Sequence, residues 1–329
     1  EPIIFTSLSP NPQSGDWGGI VILGKAPINS AFNGTQGLLE VEGGINNANG
    51  DGLAGSGDTK VPTAIANDNS GSLKFVRIEY AGYAFQPDKE INSLTMAAVG
   101  SGTTIDHIET AFGKDDSFEW FGGTVNCKYL IAYKGQDDDF DTDNGYSGLV
   151  QFVLGVKDPT ISDVPAVSTS EGFESDNDNG ATNNLPRTSA SFYNVTQIGS
   201  FRCSGNSGSV VQPSAVGFLR GARIRKRSGL KIYNSILMNN FIGLIVDANT
   251  LSTNAQVFQN NIIAMDTTVT FVSPYSGVAK ITEDAATNNY FNTAGLNNQR
   301  LKTPCDILAL SLIHISEPTR QAEISYAVF

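Results

Sequence analysis

Between Glu109 and Asp178 the chain carries fifteen acidic residues against four lysines, Lys114, Lys128, Lys134 and Lys157, a local charge of −11 within a net charge of −12. These acids recur in a pattern: Phe118-Glu119, then Phe140-Asp141-Thr142-Asp143-Asn144 22 residues on, then Phe173-Glu174-Ser175-Asp176-Asn177 a further 33 residues on. On strands, alternate side chains face opposite ways, so Phe118, Phe140 and Phe173 would stack inward while Glu119, Asp141 and Glu174 point outward together. Adjacent strands lie about 4.8 Å apart. Carboxylates that close repel by about 1 kcal/mol per pair in bulk water and by several at lower effective dielectric. A counter-ion is expected, and hard oxygen donors with Asn and Gly nearby suit calcium rather than zinc. Asp141, Asp143, Glu174 and Asp176 are the leading candidate ligands, with Glu119 and Asp139 peripheral. Asp139-x-Asp141-x-Asp143 is not an EF-hand, because Gly145 comes one residue late and no Glu closes the loop. The plain alternative is a solvated acidic face with raised pKa values and no specific ion.

Calcium beside an arginine or lysine base would suit a polysaccharide lyase. The basic run Arg220, Arg223, Arg225, Lys226, Arg227 and Lys231 lies in a different coil, far along the chain from the acids, and reads as an outward, solvated stripe. Its sharper reading is a contact for acidic glycan. An Arg or Lys within hydrogen-bond reach of Asp141 or Glu174 would favour the enzyme. Paired acids such as Asp115 with Asp137, or Glu119 with Asp141, could serve glycoside hydrolysis, though stacked strands supply such pairs almost automatically. His107 and His314 are the two histidines, and Cys127, Cys203 and Cys305 are widely separated, so multi-His metal sites, CxxC pairs and a full disulfide framework are excluded. His107 reads as a surface strand residue, and Trp17, Trp120, Tyr80, Tyr83 and Tyr146 read mostly as core.

Positioning such a ladder calls for many short parallel strands. The 329 residues hold 34 Gly and 29 Asn, with 40% hydrophobic and 16% charged residues, a composition for turns between short strands and not for disorder. The negative balance argues against nucleic acid, and no apolar run reaches membrane-spanning length. Runs of period two occur at 3–6, 20–23, 73–80, 104–110, 127–133, 192–198, 230–238 and 257–265. No long stretch has the spacing of an amphipathic helix. Ile78 aligns with Ile108 at an offset of 30, and Tyr233-Asn234-Ser235-Ile236 with Gln259-Asn260-Asn261-Ile262 at an offset of 26. Repeats of this size predict an all-β, right-handed parallel β-helix, with a β-sandwich as the alternative. Ala48–Ser70 and Asp158–Arg187 read as long loop excursions from it.

Gly15-Asp16-Trp17-Gly18-Gly19-Ile20-Val21-Ile22-Leu23-Gly24, Val76-Arg77-Ile78-Glu79-Tyr80-Ala81-Gly82, Asp116-Ser117-Phe118-Glu119-Trp120-Phe121-Gly122-Gly123 and 138–148 resemble the secreted pectin-lyase-like right-handed β-helix proteins of Bacteroidota. The resemblance covers about residues 1–300 and implies export, by type IX secretion or as a surface lipoprotein, to the medium or outer cell surface. It also implies an upstream coil, hence an N-terminal truncation before Pro2-Ile3-Ile4-Phe5. Residues 310–329 back-translate codon by codon into a transposase sequencing adapter, so the β-helix domain is expected to span 1–309 with a non-native tail after it. Together these readings predict a binding or adhesion module facing polysaccharide, stabilised by calcium, with a polysaccharide lyase or glycoside hydrolase as the alternative.

Overall fold

The computed structural model describes residues 1–86, 89–163, 169–204, 209–211, 213–215, 217–265, 270–271 and 277–301; the tail at 310–329 lies outside them. The chain alternates between two long sheets. One runs Ile3–Phe5, Ser72–Glu79, Thr104–Ala111, Cys127–Tyr133, Leu149–Val156 and Ser191–Ile198, then through short strands to Gln299–Leu301. The other runs Ile20–Leu23, Leu94–Ala97, Phe118–Phe121, Phe140–Asp143, Phe173–Ser175, Phe218–Ile224, Ile242–Val246 and Lys280–Thr282. The pairings within both sheets are parallel, which makes the molecule a parallel β-helix whose coils each contribute one strand to each sheet.

Inward columns explain why these runs became strands. Ile105, Cys127, Val150 and Phe192 are in register on the first sheet, and Leu94, Phe118, Phe140 and Phe173 on the second, all buried. The aromatic rings pack on one another, Phe118 on Phe140 at 5.9 Å and Phe140 on Phe173 at 5.1 Å between centroids. Trp120 and Tyr146 are fully buried and stacked at 5.3 Å, as expected of core aromatics. Tyr83, by contrast, is 54% exposed. Cys127 is a free thiol in this core, its pKa pushed up to about 12 by burial.

Each long strand of the first sheet bends at one residue that the pairing skips. Phe75, His107, Tyr129, Phe152 and Asn194 occupy that position with φ of 54°, 55°, 56°, 62° and 58°, and Asn234 and Asn260 hold it in the next two coils.

Three expectations change. Ile108 pairs with Val76, and Ile78 with Thr110, so the offset is 32 and not 30. A two-residue slip keeps every side chain on its own face, so alternation alone could not detect it. The segment 158–187 is not one excursion, because Ser170–Glu171 and Phe173–Ser175 belong to the second sheet. The early excursion is longer than 48–70: hairpins Ala31–Phe32 with Thr35–Gln36 and Leu38–Glu40 with Leu53–Gly55 fold back on the second sheet. There Ile28, Val41 and Ala54 form a small core with Ala97 and Ala98, against Val21, Leu23 and Phe121.

Candidate metal centre

The second sheet carries the acid ladder in the expected register. Phe118 pairs with Phe140 and Phe140 with Phe173, so Glu119, Asp141 and Glu174 lie side by side on three successive coils. They do not face open water. Glu119 is 9% exposed and accepts a hydrogen bond from the Asn92 amide, while Asp141 and Glu174 are half-buried.

A second row runs beside the first. Asp115 and Asp116 precede Phe118 as Asp137 and Asp138 precede Phe140, at the same 22-residue offset. Donor oxygens of Asp115, Asp116 and Asp137, of Asp116, Glu119 and Asp141, and of Asp138, Asp141 and Glu174 form three groups, each within 4.8 Å. The groups share Asp116 and Asp141, so they make one continuous chain of carboxylates. Part of that chain is architectural. The Asp116 carboxylate accepts the backbone N–H of Asp138 (2.9 Å), Asp138 accepts that of Glu171, and Glu171 accepts that of Arg220 (2.8 Å). Asp141 Oδ1 and Asp137 Oδ1 are buried without a hydrogen-bond partner, an unfavourable state for an acceptor unless something positive approaches it.

Burial is the main force on these groups. It raises Asp141 well above the usual carboxylate range, and the charges of Glu119, Glu174 and Asp138 add to the shift. Asp116, Glu119, Asp137 and Asp138 are raised in the same way, by burial and then by neighbouring acids. Burial also lifts Glu174, but Arg225 opposes it and the value stays at about 7. Asp143 rises to about 7, through burial and the nearby charge of Asp176.

The six candidate ligands thus divide. Asp141, Glu174 and Glu119 are brought together. Asp143 follows Asp141 in the strand but belongs to none of the three groups. Asp176 is held by Arg225 (2.6 Å) and Lys226 (2.8 Å). Asp139 faces the interior, filling space that Gly155 leaves open, 3.1 Å from the fully buried Lys157. Asp115, Asp116, Asp137 and Asp138 were not among the six; extending the 22-residue offset three residues upstream of the phenylalanines would have found them.

The basic stripe is not remote. Phe218–Ile224 is the next strand of the second sheet after Phe173–Ser175, and Glu174 pairs with Arg223. The chain visits the first sheet at Ser191–Ile198 and makes an antiparallel excursion at Arg202–Ser204 and Ser209–Val211 before returning one coil on, so sequence separation disguised adjacency. Arg225 forms ion pairs with both Glu174 and Asp176 and so lies within reach of the ladder. Burial alone would lower its pKa, but Glu174 and Asp176 outweigh burial and raise it. A guanidinium held this way cannot accept a proton. Arg225 clamps the ladder's end.

The family described as a pectate-lyase-like β-helix domain matches residues 1–304. This chain belongs to that family. No curated protein and no solved structure matches it. For this pectate-lyase-like domain the match agrees with the two-sheet solenoid. The donor set, all oxygen and including the orphaned Asp141 Oδ1, fits a hard divalent cation: Asp141 would hold it with Asp116 and Glu119 or with Asp138 and Glu174, and it would supply positive charge for an anionic or polyhydroxyl ligand.

Proposed function

We propose that this domain is a polysaccharide-binding or adhesion module, exported to the cell surface or medium, whose acid ladder is stabilised by calcium and faces the glycan. The observation that carries the reading is Asp141: flanked by Glu119 and Glu174, shared by two carboxylate groups, and with a buried, unpartnered oxygen. Membership of a pectate-lyase-like family supports a polysaccharide-related role.

The lyase reading has one observation in its favour, Arg225 beside Glu174. Against it, Lys157 is engaged with Asp139, Arg225 with Glu174 and Lys226 with Asp176, while Arg223 stands 3.9 Å from Glu174 as a guanidinium that keeps its proton. A base must be free to take a proton. Calorimetry of the domain with polygalacturonate, with calcium and with EDTA, alongside a chromatographic search for shortened or unsaturated products, separates the readings. Calcium-dependent binding without products is the expected result. Products that vanish in Arg225→Lys would establish the lyase, and absence of any calcium response would remove the metal.

A further inference from the structure

The column of bent residues on the first sheet changes character along the solenoid. Asn194, Asn234, Asn260 and His107 are of types that tolerate a left-handed backbone; Phe75, Tyr129 and Phe152 are not, being bulky enough to make positive φ costly. Three of four consecutive coils therefore hold a strained backbone with a ring where asparagine would fit with less strain. These rings stack, Phe75 on His107 at 4.6 Å, His107 on Tyr129 at 4.4 Å and Tyr129 on Phe152 at 5.2 Å between centroids, with interplanar angles of 28°, 28° and 14°. They are also in the open: Phe75 is 52%, Tyr129 42% and Phe152 39% exposed. A groove of about 930 Å³ borders the first three rings, lined by Glu1, Phe75, Arg77, His107, Glu109 and Tyr129 among others.

We infer that this ridge is a second glycan-binding site, for a linear neutral oligosaccharide laid along the solenoid axis. Three observations select that ligand. Arg77 pairs with Glu79 and Glu109 and His107 Nδ1 with Asp106, and Lys74 and Lys128 flank Asp106 in register, so three cations stand beside three acids and the strip has no net charge that would favour a charged chain. The rings stack on one another and leave their outer edges exposed, so the strip presents apolar edges alternating with hydrogen-bonding groups, His107 Nε2 and the Tyr129 hydroxyl, the mixture that the C–H faces and hydroxyls of a sugar match. Where the stack ends, Asn194 replaces the ring and no described ring covers the outer face of Phe152, leaving one stacking platform. Size excludes a protein partner. Aromatic side chains offer about 150–250 Å² each, so at these exposures the four rings present roughly 300–350 Å² in all, well below a stable protein–protein interface. Every strand of the ridge is paired on both sides, which leaves no edge for an added strand.

The site is on the sheet that does not carry the acid ladder, so its failure and the ladder's are separable. The test is calorimetry of the full chain with cellohexaose, in calcium and in EDTA, for the natural sequence and for Phe75→Asn, Tyr129→Asn and Phe152→Asn. Each substitution installs the residue that later coils use. The natural chain should bind cellohexaose equally in calcium and EDTA, and Tyr129→Asn or Phe152→Asn should weaken binding about tenfold or more while leaving the melting temperature unchanged or higher. No cellohexaose binding by the natural chain, or variants that bind normally but melt lower, would overturn the inference and leave the rings as structural packing. Polygalacturonate binding that persists in all three variants would show the ladder's reading intact whatever the ridge does.

Discussion

Asp141→Asn should change the sign of its effect on stability with the metal supply. Asn has the shape of Asp and removes one charge from the centre of the ladder. Glu119 and Glu174 are its in-register neighbours one coil away on each side. At about 4.8 Å, two like charges repel by about 1 kcal/mol in water and by about 3 kcal/mol at the effective dielectric of a protein surface. At a pH high enough to ionise Asp141 and its neighbours, the metal-free substitution should therefore stabilise the fold by about 1–3 kcal/mol, and by less at lower pH, where burial keeps these acids protonated. For a chain of this size that is a rise of about 2–5 °C in melting temperature. With millimolar calcium the outcome reverses. Asp141 belongs to two of the three carboxylate groups, so its loss removes the shared ligand and with it the mass-action stabilisation, about 2.7 kcal/mol if calcium stands at a hundred times its dissociation constant. Scanning calorimetry of both proteins in EDTA and in calcium gives the four melting temperatures. Shifts of the same sign in both conditions would refute the reasoning: a rise in both leaves a repulsive, ion-free acidic face, and a fall in both makes Asp141 a packing residue.

The metal-free protein should also lose stability as pH rises. Glu174 is neutral in the folded state up to about 7 but ionises near 4.5 when unfolded, so the folded state binds more protons between those values; Glu174 alone contributes about 3 kcal/mol at low pH, gone by about pH 7. Melting curves in EDTA across that range should fall, and calcium should flatten them; a rise with pH would contradict the burial argument. Lys157→Met should cost about 3–5 kcal/mol by stranding the buried Asp139 carboxylate, whereas Lys157→Met with Asp139→Leu should recover most of it, as denaturant titration can show. Phe140→Ala, between Phe118 and Phe173 in the core, should cost about 3–5 kcal/mol by the same measurement, and a loss below about 1 kcal/mol would mean that the stack is not close-packed.

Much of the solenoid is legible from period-two runs and repeat offsets. The runs at 20–23, 104–110 and 127–133 are strands, and Phe118, Phe140 and Phe173 stack in register. Alternation is blind to even-numbered slips, so it could not tell that Ile108 pairs with Val76 and not with Ile78. The acid ladder was readable because it repeats with the phenylalanines. Its basic neighbour was not, because the distance along the chain from Glu174 to Arg223 conceals a single coil step. The aromatic ridge was invisible for another reason. Its four members stand at a bend that only backbone geometry reveals, and in sequence each reads as an ordinary strand residue.

The acceptor row Asp116, Asp138, Glu171 has a polarity along the solenoid. Each carboxylate takes an N–H from the coil that follows it, so a coil brings an acceptor for its successor and a donor for its predecessor. Such a unit is a cassette: duplicating or deleting one would leave this row of hydrogen bonds complete. The series stops where the residue type inverts. Arg220 donates its N–H to Glu171 like any other member, but its side chain can only donate, and it turns back onto Glu171 and across to Glu283. A base in an acid's place is the terminator of the row, and its charge is what the buried Glu171 and its neighbour Glu283 share.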